Sequence, residues 1–150
     1  MENGVTDFKN NFRTVVANSG LSSEGKLEAQ KFIDKMLTLA GNENTSFQNV
    51  ASEILRTEDV ILANTRLTAS DREALLMSTS VARYSNDMWY KIYSKDSNET
   101  FARRGFWGWA AVVCGDAIGG LAGAGAFSVG TAISASSLAN TIVKEVENNK

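Results

Sequence analysis

The chain has 150 residues, 15 Lys+Arg against 17 Asp+Glu, and a formal net charge of −2, so its length suits one domain or at most two. Hydrophobic residues make up 43% and charged residues 21%, an ordinary globular balance that argues against a general electrostatic grip on nucleic acid. There is no histidine, no proline and a single cysteine, Cys114, which excludes His-dependent nucleophile or metal chemistry, intrachain disulfides and multi-cysteine metal sites.

Met1-Glu2-Asn3-Gly4-Val5 offers neither a charged n-region nor an apolar h-region. The protein is therefore expected in the cytoplasm, or secreted or membrane-associated if a leader has been removed. Phe8, Phe12, Val15 and Val16 recur at helical spacing, with Gly20 as a stop. The clearest stripe is Ala29, Phe32, Ile33, Met36, Leu37 and Ala40, closed by Gly41. Thr45-x-x-Gln48 reads as a capping box before a third stripe of Phe47, Val50, Ala51, Ile54, Leu55, Ile61 and Leu62. Ser70-x-x-Glu73 reads as a second box. It opens a long helix with Leu75, Thr79, Ala82, Trp89 and Tyr93 on one face and Leu76, Met88 and Ile92 beside them. Lys95-Asp96-Ser97-Asn98 reads as a polar loop. No alternating stretch is long enough for a strand, and the absence of proline suits long helices. The expected fold is all-α: an amphipathic helical bundle, residues 1–98, packed around a Gly/Ala-rich helix or helical hairpin in residues 99–150, the two together forming one compact domain.

Composition changes near residue 100. Residues 1–100 carry 11 basic and 14 acidic side chains; residues 105–143 carry one charge, Asp116, and eight of the twelve glycines. Gly115, Gly119 and Gly123 are four apart, as are Gly120, Ala124 and Ser128, and Ala122, Ala126, Gly130 and Ser134. On a helix such rows make flat faces that let another backbone approach closely. Each glycine costs about 1 kcal/mol relative to alanine in a helix interior, so a partner surface or an apolar medium must offset the cost. Residues 117–143 are uncharged and long enough to span a bilayer as a helix, yet only eight of them are Ile, Leu, Val or Phe. Arg103 and Arg104, followed by Phe106, Trp107 and Trp109, are ordered as an interfacial anchor would be.

Trp107-Gly108-Trp109, then Val112 to Gly120, then Gly123-Ala124-Gly125, resembles the glycine-zipper tails of bacteriocin-like and other small membrane-active bacterial proteins. The resemblance covers about a quarter of the chain and rests on a motif of low specificity. It implies membrane insertion, often by helical hairpins, and release from the cell.

Asp116 is read as a carboxylate paired with Arg103, Arg104 or another arginine of the bundle, or facing water; the alternative is a buried or intramembrane carboxylate of raised pKa that gates insertion. Cys114 is read as a small apolar core residue. Tyr84, Trp89, Tyr90 and Tyr93 are expected in the core, and Glu58, Asp59, Asp71 and Glu73 at the solvated surface. No phosphate-cradling loop is present. The chain is not expected to be an enzyme, and no cofactor, metal or small-molecule substrate is expected. Two functions remain. In the first, the soluble bundle shields a small-residue hairpin that inserts into a membrane or oligomerises, with the bilayer or a second copy as partner. Its packing residues are Gly115, Asp116, Gly119, Gly120, Gly123 and Gly130, and its anchors Arg103, Arg104, Phe106, Trp107 and Trp109. In the second, the protein is a soluble assembly module whose glycines only pack the core or an oligomer interface.

Overall fold

Helix-forming stripes and capping side chains set where each helix begins, and long-range hydrogen bonds set how the helices lie. The computed structural model describes residues 10, 12–40, 42 and 44–93, without the side chains of residues 40, 89, 92 and 93. Four helices make up this part: α1 (residues 12–17), α2 (Ser23–Ala40), α3 (Phe47–Ala63) and α4 (Ala69–Tyr93). There is no strand among the described residues, so the fold is an all-α bundle. The expectations for Phe8, Gly41, the boundary at 98/99 and the Gly/Ala-rich segment lie outside the described residues.

Polar links fix the directions. Lys35 meets Glu53 at 3.8 Å near one end of the α2–α3 pair, and Asn64 reaches Glu24 at the other, so these helices run antiparallel. The α3–α4 seam is antiparallel too: Asn86 Nδ2 donates to the Phe47 carbonyl, Arg83 faces Glu58 at 3.7 Å, and Arg72 Nη2 donates to the Asn64 carbonyl. Phe47 and Tyr90 stack edge to face with ring centroids 5.3 Å apart. Consequently α2 and α4 are parallel, with both N-termini at one pole. α1 folds back on α2, where Arg13 lies 3.7 Å from Asp34.

The core agrees with the periodicity of the first three stripes. Phe12, Val16, Ala29, Phe32, Ile33, Met36, Leu37, Val50, Ile54 and Ile61 are all buried. On α3, Leu55 and Leu62 depart from expectation and stay exposed, because Val50, Ile54 and Ile61 already fill the core-facing stripe. Gly20 follows α1, in a bend three residues past its end.

Both expected capping boxes are displaced. At α3 the box is Ser46 and Asn49: the Asn49 N–H donates to Ser46 Oγ, and the Ser46 N–H donates to Asn49 Oδ1. At α4 it is Thr68 and Asp71, with the Asp71 N–H donating to Thr68 Oγ1 and the Thr68 N–H to Asp71 Oδ2. Thr45 and Gln48, and Ser70 and Glu73, have a suitable spacing but sit one and two residues off the true caps.

Ile54 is fully buried, so Ile54→Ala should lose about 2–5 kcal/mol of unfolding free energy through transfer and cavity terms. Val60, 47% exposed on the same helix, should lose no more than about 0.5 kcal/mol on change to Ala. Urea unfolding of the full chain measures both.

Candidate functional site

The residues singled out from sequence as packing or anchoring groups, Arg103, Arg104, Phe106, Trp107, Trp109, Gly115, Asp116, Gly119, Gly120, Gly123 and Gly130, lie outside the described residues, as does Cys114. Within the bundle two features stand out: a buried acidic node at one pole, and the outer face of α4.

The node is built by helix starts. Ser22 caps α2 by accepting the Gly25 N–H, and Thr68 caps α4. Asp71 serves both. Its Oδ1 accepts the Ser22 N–H at 2.9 Å, and its Oδ2 accepts the Ser22 hydroxyl at 2.5 Å and the Thr68 N–H at 3.2 Å. The residue is 3% exposed, which corrects the expectation of a solvated carboxylate; Glu73 does remain at the surface. Burial acts to raise the Asp71 carboxyl, but the hydrogen bonds from Ser22 and Thr68 override it, leaving the group below its ordinary 3.8. Two positive helix ends pointing at one anion act in the same direction.

Gly25 makes the approach possible. A Cβ there would stand 2.7 Å from Asp71 Oδ1 and 2.8 Å from its Cγ. Beside it, Asn64 ends α3. Its Nδ2 donates to Glu24 Oε1 at 2.9 Å and to Glu28 Oε1 at 3.3 Å. Arg66 pairs with Glu24, and Lys31 with Glu28, at 2.9 Å each. The carboxylates here are thus held by caps, an amide and cations, an arrangement that joins helices. Among the described residues no group of three or more His, Cys, Asp or Glu side chains is placed to hold a metal ion.

Among its described side chains α4 buries Asp71, Ala74, Leu75, Ser78, Thr79, Ala82, Ser85 and Asn86, with Leu76 packed partly buried against the core. Its outward side carries Met77 at 41% exposure, Tyr84 at 79% and Met88 at 50%, with Val81 half-buried in the same row. These four positions fall at i, i+4, i+7 and i+11, a single helical stripe. The core reading of the aromatics is corrected for Tyr84 and for Tyr90, which is also exposed; the side chains of Trp89 and Tyr93 lie outside the described residues. The inner face takes small residues because α3 packs closely there, and a tyrosine cannot fit where Ala82 is fully buried.

The signal for Asp71 was present as Thr68-x-x-Asp71, which overlaps the competing Ser70-x-x-Glu73. No described helix is long and apolar enough to cross a membrane. Comparison of the chain with protein-family models, curated proteins and solved structures gives no match.

Asp71→Ala should cost about 3 kcal/mol, since it strips charge-assisted hydrogen bonds from two helix starts. The depressed folded-state value fixes the sign with pH. The Asp71 contribution is complete well above 3.8 and is lost as pH falls from there through the folded-state value. Urea titrations across this window should show a steeper loss for the parent than for Asp71→Asn. Gly25→Ala should destabilise by about 1–3 kcal/mol, because crowding of the Asp71 carboxylate outweighs the gain in helix propensity; an unchanged urea midpoint would refute the close approach.

Proposed function

We propose that this is a membrane-associating bacterial protein. The helical bundle keeps residues 105–143 in solution until they insert into a bilayer or assemble with other copies. The observation that carries this reading is the single charge, Asp116, in a stretch of 39 residues holding eight glycines, attached to a helical layer of ordinary charge. The small-residue rows suit close helix contact in an apolar medium, where dispersion and weak Cα–H···O contacts replace large side-chain interdigitation. Arg103, Arg104, Phe106, Trp107 and Trp109 supply the headgroup contacts and aromatic belt, and the exposed apolar row on α4 is support from the bundle itself.

The reading of the protein as a soluble assembly module draws on the same exposed row, since Met and Tyr are favoured at protein interfaces. The two are separated by flotation with anionic vesicles and by release of an entrapped dye, using the full chain at pH 7 and pH 5. Flotation with dye release, abolished by the double change Gly119→Leu and Gly123→Leu at unchanged helicity, is the expected result. Greater release at pH 5 would implicate Asp116. A stable oligomer that ignores vesicles at either pH would replace the membrane reading with the assembly module.

A further inference from the structure

We infer that the outer face of α4, the row Met77, Val81, Tyr84 and Met88, is the docking surface for this chain's own residues 105–143. The inference rests on the proposed role of that segment and names the surface that shields it. Three observations converge. First, among its described side chains α4 sets Met77, Val81, Tyr84 and Met88 in one outward row, and Tyr84 is 79% exposed while Ala82, two residues earlier, is fully buried. A solvent-facing helix side normally carries the polar residues.

Second, the chain beyond the bundle is the right length and begins in the right place. It leaves directly from α4, and residues 94–104 can span up to about 36 Å when extended, enough to turn back along a row about 16 Å long. A segment joined covalently to the helix that carries the row meets it intramolecularly, which favours it over a second copy at ordinary protein concentrations.

Third, the surfaces are complementary in size and polarity. The row on α4 is large and flexible, with two methionines suited to an adaptable contact. The segment offers the opposite: Gly115, Gly119 and Gly123 four residues apart, with one charge between 105 and 143. Large side chains laid over glycine and alanine rows bury apolar surface without steric conflict and supply the partner that such a glycine-rich stretch needs.

The test places a photo-crosslinking phenylalanine analogue at Tyr84, at Met88 in a second variant, and at Arg56 on the exposed side of α3 as the reference, all in the full chain. Tyr84 is exposed, so its replacement leaves the bundle core intact. Irradiation in buffer should yield crosslinks from 84 and 88 to residues 105–143 of the same chain, several-fold above those from 56. Covalent dimers would overturn the inference and make the row a self-association surface; no excess over position 56 would overturn it outright. Repeating the irradiation with anionic vesicles separates this inference from the membrane reading. Crosslinks that persist without flotation support docking and refute membrane insertion. Flotation by a chain that forms no crosslinks in buffer refutes docking and leaves insertion standing.

Discussion

One carboxylate sets the arrangement of this bundle. Two helix starts at the same pole present like partial charges, and an anion between them favours the parallel approach of α2 and α4. Asp71 is that anion, held by Ser22 from one helix and Thr68 from the other. The same pole receives the end of α3, and its charge is matched in turn: Arg72, one residue after Asp71, donates to the Asn64 carbonyl. Adjacent residues of α4 thus neutralise opposite helix ends. Gly25 contributes through its missing side chain, because any Cβ would occupy the space the carboxylate needs.

Polar contacts therefore share with apolar packing the work of holding α4 in the bundle. Phe12, Phe32, Met36, Val50, Ile54 and Ile61 come from the first three helices. Among its described side chains α4 adds Leu75, Ala74 and Ala82, with Leu76 partly buried beside them, and polar contacts peg it from Asp71 through Arg72 and Arg83 to Asn86. Met77, Tyr84 and Met88 stay exposed on its outer side. The bundle carries an exposed apolar row on α4, and residues 105–143 of the same chain carry a single charge.

Legibility from sequence follows the strength of the periodic signal. The α2 stripe was unambiguous and its described members are buried, since six apolar positions at strict helical spacing admit one interpretation. The caps were legible as a class and not as positions. In Thr45-Ser46-Phe47-Gln48-Asn49 and in Thr68-Ala69-Ser70-Asp71-Arg72-Glu73, two hydroxyl-to-acceptor pairs overlap, and only the register of the helix chooses between them. α4 was harder for a different reason. Spacing rightly put Leu75, Thr79 and Ala82 inside, but a preference for burying aromatics pulled Tyr84 and Tyr90 in as well, although close packing against a neighbour selects for size before hydrophobicity. The candidate site was legible as composition, a low-charge glycine-rich stretch, and its geometry belongs to residues beyond those described.

The antiparallel seam between α3 and α4 also sets a direction for mechanical load. The chain continues from α4 at the pole opposite Asp71. Tension drawn through residue 94 therefore enters at the Phe47–Tyr90 stack and the Asn86 hydrogen bond, passes the Arg83–Glu58 pair, and reaches the Asp71 anchor last. Pulling on the glycine-rich end loads the described α3–α4 contacts in order from Tyr90 back to Asp71. The fastening farthest from the point of traction is the one that ties the starts of α2 and α4 together, so the bundle can yield by turns at one end and remain clasped at the other.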